Sequence, residues 1–405
     1  MSAAYRKNDV RFLTEHVRHH HSVELVGMRR VGINNFLRHF FAQHQFGKSD
    51  RQMYIFIDLN NLVEREAFPF WQLTLKRISD GVRDLVVDPA LRKEITQIFE
   101  TAIQYQNMQM TYDGIRESLA ALVKNDIEPV IFFNRFDRVV NMMSESFIDN
   151  IRGLYDAAGN RLSCVFTSYR PLSDFYGKKL PFDQFYTHEL LPMTKEDARV
   201  HVDEYEHKYH LKFDTAAHHV IYTLSGGHVQ YMRFIMDLLR ESKTGAADIQ
   251  AAAAHDERVQ LLSEELWESL QPAEQKLLRQ VISKTVSEQS VTYLEKTGMV
   301  HNGTVFSPLF ADYVTAKSGS PRHLKHAVEF TRKENALFVV LKEHLGTVCE
   351  RDLIIEKVWA ESAEDGISDW SIDKLVERLR EKIKVQKLPY QVVTVRTRGY
   401  KLVEV

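Results

Sequence analysis

The stretch ELVGMRRVGINNFLRHFF, residues 24 to 41, sets two glycines with four residues between them at the junction of an apolar run and an amphipathic run. That arrangement predicts a buried strand, a tight turn and a helix whose N-terminus points its free N–H groups and positive dipole end at the turn. Such a turn holds a phosphate when a Lys and then a Ser or Thr follow the second glycine, the Lys as a point charge and the hydroxyl as a Mg²⁺ ligand. Here Gly27 and Gly32 keep the spacing, but Ile33 and Asn34 stand in the Lys and Ser/Thr places.

Outward from this turn, residues 1–192 alternate short apolar runs with helical patterns, the signature of βαβ units and a mainly parallel sheet. Strands are expected at SVELVG (22–27), MYIFIDL (53–59), PVIFFN (129–134), LSCVFTS (162–168) and FYTHELL (185–191). Stretches such as FWQLTLKRISDGVRDLV are long enough to cross over between them and cover the sheet faces. From PMTKEDARVHVDEYEHKYH onward the strand pattern stops, and Thr194 followed by Asp197 is an N-capping pattern, so 193–242 reads as a small helical lid. Residues 241–257, Ala-rich and polar, read as a connection. Residues 258–316 give three helices, a short hairpin at HNGTVF and a last helix, the plan of a winged helix. KSGSPRH (317–323) is the clearest linker, and 326–405 forms a final compact unit.

The chain has 405 residues, 44% of them hydrophobic and 27% charged, which fits several globular domains rather than one core. A formal charge of −2 means that any contact with nucleic acid must come from a local patch. Only Cys164 and Cys349 are present, which argues for a reducing compartment and against a disulfide framework or a Cys zinc site. No apolar run approaches the roughly 20 residues of a membrane helix, and the N-terminus lacks a signal-peptide core, so a cytoplasmic protein without membrane contact is expected. The histidines at 16, 19, 20 and 21 and at 218 and 219 have no acidic or thiol partners at ligand spacing, and no metal is expected.

The N-terminal region resembles P-loop ATPases of the AAA+ and STAND type. In GMRRVGINNFL, Gly27, Arg29, Arg30, Gly32 and Leu37 keep that family's pattern. PVIFFNRFDRVV lies where the family has an apolar strand ending in two acidic residues; Asn134 and Arg135 occupy those places, while Phe136, Asp137 and Arg138 persist. SCVFTSYRPL resembles the sensor strand, with Thr167 or Ser168 near the γ-phosphate position and Arg170 behind it. LSGGHVQYMRF resembles the Gly-Gly-His-Pro segment of STAND lids, with Val229 in the Pro place. Loss of the Lys should weaken phosphate binding about tenfold to a hundredfold, since charge-assisted hydrogen bonds contribute roughly 1.5–3 kcal/mol each. Asn34 and Asn134 offer Mg²⁺ only neutral amide oxygens, and Arg135 cannot act as a general base. The expectation is therefore no useful ATP hydrolysis and no required cofactor, with two readings of the loop left open: a scaffold turn, or weak ATP/ADP binding through backbone N–H groups.

Residues 326–405 resemble the OmpR/PhoB-type winged-helix DNA-binding domain. The segments FTRKE (330–334), GTVCERDLIIEKVW (346–359), SIDKLVERLREKI (371–383) and TVRTRGY (394–400) follow the family pattern in order. In the third segment Ile372, Val376, Leu379 and Ile383 form one apolar stripe, and Ser371, Lys374, Arg378 and Lys382 line the other side. Nine Lys/Arg stand against four Asp/Glu from Trp370 to Val405, a local charge of +5. The resemblance implies that Ser371, Lys374, Leu375, Arg378 and Arg380 meet bases and phosphates and that Arg396 is the wing arginine; Lys382 and Arg398 add further cations. The loop AESAEDGISD (360–369) carries four acidic residues and no basic one; in the resembled family this region can touch RNA polymerase, and the charge here implies a different protein partner.

The combined expectation is an α/β, P-loop ATPase-like parallel sheet with a helical lid, followed by two winged-helix domains. Its function would be that of a transcription-factor-like DNA-binding regulator with a catalytically inactive ATPase-like module used for self-association or a protein partner. The alternative from another class is a non-enzymatic DNA-docking subunit of a mobile-element, replication or antiviral defence complex. In both readings double-stranded DNA is the partner.

Overall fold

The computed structural model describes residues 5–44, 51–62, 64–84, 88–142, 144–177, 185–241, 248–285, 292–318, 330–359, 369–395 and 398–404. The chain divides into two compact units, Met1–Val259 with Leu270–Asp312, and Gln260–Ser269 with Tyr313–Val405.

The first unit is built on a five-stranded sheet of β1 (Ser22–Val26), β2 (Gln52–Asp58), β3 (Glu128–Asn134), β4 (Ser163–Ser168) and β5 (Phe185–Glu189). All four pairings are parallel and the order is β2-β3-β4-β1-β5. The five strands lie within a residue or two of the expected runs. The central strands β1, β3 and β4 are buried on both faces and so appear as apolar runs, while the edge strands β2 and β5 are partly exposed. Side chains alternate across the sheet. Ile131 and Phe133 of β3 join a core with Trp71, Leu75, Ile115 and Leu119 from helices Ala67–Asp84 and Met108–Lys124. Phe132, between them, turns to the other face and meets Phe40 and Phe41 of helix Ile33–Gln43 at ring-centroid distances of 5.8 and 4.8 Å.

After β5 the unit is helical, with Lys195–Tyr209, Thr215–Ser225 and Val229–Glu241 in the expected lid. The Thr194 hydroxyl accepts from the Asp197 N–H at 3.2 Å, the cap read from the sequence. Residues 241–257 contain the helix Ile249–His255. Helices Pro272–Ile282 and Thr292–Lys296 precede a small hairpin of β6 (Val300–His301) and β7 (Thr304–Val305).

The second unit holds helices Arg332–Glu343, Arg351–Val358 and Asp369–Val385 against an antiparallel sheet of β8 (Val348–Glu350), β9 (Tyr390–Val395) and β10 (Gly399–Glu404), in the order β8-β10-β9. Thr331 and Glu334 form a capping box that starts the first helix: the Thr331 N–H donates to Glu334 at 2.8 Å, and the Glu334 N–H donates back to the Thr331 hydroxyl. Leu337, Leu341, Ile354, Ile372, Val376, Leu379 and Leu402 form its core. The linker from residue 319 and the acidic loop over 360–368 lie outside the described residues.

Candidate nucleic-acid interface and nucleotide-type loop

In the first unit the loop runs from the end of β1 to helix Ile33–Gln43. The Gly27 N–H donates to the Ser168 carbonyl at 3.2 Å, which ties the loop to β4. Gly32 is the N-cap residue at φ 110, a conformation that favours glycine. A Cβ there would also lie 2.6 Å from Val229 Cγ2 of the lid. The neighbouring His228 is fully buried and its Nε2 lies 2.8 Å from the Arg29 carbonyl oxygen. Burial pulls the His228 pKa down to about 4, the bond to Arg29 opposes this and Arg30 adds to it, so at neutral pH the ring is uncharged and its Nε2–H donates to that carbonyl. The lid therefore meets the loop through the His228–Arg29 hydrogen bond and the approach of Val229 to Gly32. Ile33 and Asn34, the first two residues of the helix, are both partly exposed.

Asn134 ends β3, fully buried, and its Oδ1 accepts from the Thr167 hydroxyl at 2.8 Å. Thr167 in turn accepts from the Arg135 N–H at 2.8 Å. Asn134 and Arg135 are thus stitched to the sensor-like strand β4. Asn134 Nδ2 is a buried donor with no hydrogen-bond partner among the described residues. Burial lowers the pKa of Arg135; Asp58 opposes this, and Arg30 and Arg138 add to it. Burial raises the Asp137 carboxyl against the pull of Arg29, Arg138 and Arg135. Four arginines and two carboxylates thus share the neighbourhood where the resembled family keeps acidic metal ligands.

Arg170 is 5% exposed and committed elsewhere in the unit. Its guanidinium forks onto Glu274 at 2.9 and 2.7 Å, touches Asp174 at 3.0 Å and lies 4.0 Å from the centroid of Tyr293. Glu274 also accepts from the Gln271 N–H at 2.8 Å and so caps helix Pro272–Ile282. Arg29 stacks at 3.8 Å over Tyr169. Sequence reading missed Glu274, Tyr293 and Tyr169. Glu274 lies 104 positions from Arg170, and no local pattern announces such a pair.

In the second unit the expected apolar stripe is in place, with Ile372, Val376 and Leu379 fully buried and Ile383 nearly so. Leu375 corrects the expected contact list. It is completely buried in the domain core because it sits one turn after Ile372 and one before Leu379, which widens the stripe inward and leaves no surface for a base. Arg380 turns onto β9, donating to the Val392 carbonyl at 2.9 Å and to the Thr394 hydroxyl at 2.7 Å. Lys382 reaches Glu334 of the capping box at 2.5 Å. Ser371, Lys374 and Arg378 remain on the partly exposed side of the helix. Arg398 is well exposed and 3.5 Å from Glu350. Arg396 lies outside the described residues.

Residues 325–402 match the family described as Transcriptional regulatory protein, C terminal, and the second unit carries that OmpR/PhoB-type domain. No curated protein sequence matches the chain. Among solved structures, the Walker-type ATPase of Pyrococcus abyssi superposes with a TM-score of 0.51 at 13% identity, over 76% of this chain and 95% of that one. This gives the N-terminal region the fold of a Walker-type ATPase. Cdc6p from Pyrobaculum aerophilum matches at a TM-score of 0.38 and 12% identity, covering 94% of this chain and 96% of that one. The Orc1 protein of Aeropyrum pernix, solved in complex with DNA, matches at 0.34 and 11%, covering 98% and 88%. No property of this chain follows from the two looser superpositions. Among the described residues no helix is long and apolar enough to cross a membrane.

Proposed function

We propose that this chain is a DNA-binding regulator of transcription whose ATPase-like module has left turnover behind and serves assembly or contact with a partner protein. The observation that carries the reading is the OmpR/PhoB-type match over residues 325–402, which covers the helix whose partly exposed side bears Ser371, Lys374 and Arg378. A basic helix beside a basic hairpin suits a duplex: the helix enters the major groove and the hairpin turn, with Arg396 and Arg398, reaches the backbone or minor groove. Loss of turnover is supported by Ile33, Asn34, Asn134 and Arg135 at four positions of one chemistry, and by a lid closed on the loop through His228 and Val229. No nucleotide cofactor is required in this reading, and calorimetry with ATP and ADP should give no heat.

The test is a genome-wide DNA occupancy map of the wild type beside an Arg378→Ala/Arg396→Ala variant. Sharp peaks that vanish in the variant support the regulator. Diffuse coverage points instead to a DNA-docking subunit of a larger assembly, and occupancy by neither protein ends the DNA reading. Steady ATP hydrolysis above that of a Gly32→Val variant would refute the inactive module.

A further inference from the structure

The helix Glu257–Glu268 ends within the second unit, where residues 260–269 pack with the OmpR/PhoB-type domain. Its carboxylates meet the DNA-reading side of helix Asp369–Val385. Lys374 Nζ lies 3.1 Å from Glu268 Oε1 and 3.8 Å from Glu264 Oε1, in addition to its own-helix partner Glu377 at 3.0 Å. Arg378 Nη2 donates to Glu264 Oε2. The contact is partly closed to water, since the side chains of Glu264 and Lys374 are 13% and 16% exposed. Tyr313 stands beside the pair: burial raises its phenol, Glu264 raises it further, and Arg378 opposes.

Carboxylate and phosphate oxygens compete for the same ammonium and guanidinium donors. Lys374 and Arg378 cannot donate fully to a DNA backbone while Glu264 and Glu268 hold them, and the two carboxylates would also repel the phosphates. Lys382 and Arg380, by contrast, are engaged inside the domain by Glu334 and β9, so the mask falls on the two ridge cations that the domain leaves for a ligand. From these contacts we propose that the acidic helix end bearing Glu264 and Glu268 is an autoinhibitory cover for the DNA-reading ridge, displaced when that helix end is drawn away. The inference rests on the DNA-binding reading above. A few partly exposed ion pairs make a reversible cover, whose removal should tighten binding about tenfold.

The experiment measures binding of the full-length chain to duplex DNA at several salt concentrations. The proteins are the wild type, Glu264→Gln/Glu268→Gln, the charge-matched control Glu295→Gln/Glu404→Gln, and Lys374→Ala/Arg378→Ala. The cover predicts that the first variant binds about tenfold tighter than wild type, that the control changes far less, and that the gain shrinks as salt screens the ion pairs. The basic-to-alanine variant should lose binding. If the masked-carboxylate variant and its control gain equally or not at all, while loss of Lys374 and Arg378 still abolishes binding, the cover is wrong and the DNA reading stands. If no variant binds DNA, both fall. Hydrogen exchange on each protein confirms that the variants are folded.

Discussion

The Gly27–Ile33 loop and the Asp369–Val385 helix each resemble a recognition element of another family, and they keep opposite parts of that resemblance. The loop has kept its packing: the glycine spacing, the helix start at Ile33, the tie to β4 and the closed lid are intact, while the side chains that would handle phosphate and metal are replaced. The helix has kept its charge: its apolar stripe holds it to the domain and its cations reach outward or toward carboxylates. In the reading proposed above, a backbone shape that also closes a core outlasts its chemistry, because losing the shape costs stability. Surface charge contributes little to folding, so its presence on one ridge calls for a ligand.

If packing is what holds the first region, disturbing the lid should cost most. Gly226 sits at φ 57, and a Cβ there would overlap the Phe306 carbonyl oxygen. Gly226→Ala should therefore destabilise the first unit by about 4 kcal/mol or more. Native-state hydrogen exchange in β1 and β4 reads this separately from the second unit. A loss below about 1 kcal/mol would mean that the close packing of Gly226 on Phe306 is not what holds the lid. The next largest effect is expected at Arg170. Arg170→Ala strands the mostly buried Glu274 carboxylate and should cost about 3 kcal/mol by the same measurement.

The second region should respond in the reverse manner. Lys374→Ala/Arg378→Ala is expected to weaken DNA binding about a hundredfold, at roughly 1–3 kcal/mol per lost contact. Its folding stability should fall by less than in Arg170→Ala, about 1–2 kcal/mol, because Glu264 is left unpaired but Lys374 and Arg378 are more exposed than Arg170. A large stability loss with unchanged DNA affinity would invert the comparison.

How far the sequence reveals each region follows the same division. The three central strands β1, β3 and β4 were legible because burial on both faces writes itself as apolar runs, and the helix stripe because a 3.6-residue period does. The substitutions at Ile33, Asn34, Asn134 and Arg135 were legible as residue types in known places. Leu375 also fits the period, since Ile372, Leu375, Val376 and Leu379 fall at i, i+3, i+4 and i+7, and the family resemblance, which put it on the contact face, did not reveal its burial. Nor did it reveal the partners of the cations. Glu274 for Arg170, and Glu264 for Arg378, are 104 and 114 positions away, and long-range ion pairs leave no trace in spacing.

Acid should act on the first region by a smaller amount. His228 has its pKa lowered to about 4 by burial, as does His201. The unfolded chain therefore takes up protons on these rings below its ordinary value of about 6.5, while the folded chain does so only near 4. Stability is complete above about pH 6.5, falls as the pH drops toward 4 and levels off below it, with about 2 kcal/mol lost per ring at pH 5. His228→Gln should remove its share of that acid limb, seen as a flatter dependence of β1 exchange on pH.

The smallest effect is expected where restoration is most tempting. Ile33→Lys/Asn34→Thr returns the side chains that a phosphate loop uses, yet turnover should stay at background. The new Lys would enter a neighbourhood already occupied by Arg29, Arg30, Arg135 and Arg138. No acidic residue would stand at Asn134 to hold Mg²⁺ or at Arg135 to orient water. Arg170 would still be forked onto Glu274, and Val229 would still pack on Gly32. A turnover assay showing steady hydrolysis in this double variant would mean that two side chains had been all that separated the module from an enzyme. Background activity there, recovered in part only when Asn134→Asp and Arg135→Glu are added, would place the loss across both strands and the loop together, as the contacts among Asn134, Thr167 and Arg135 imply.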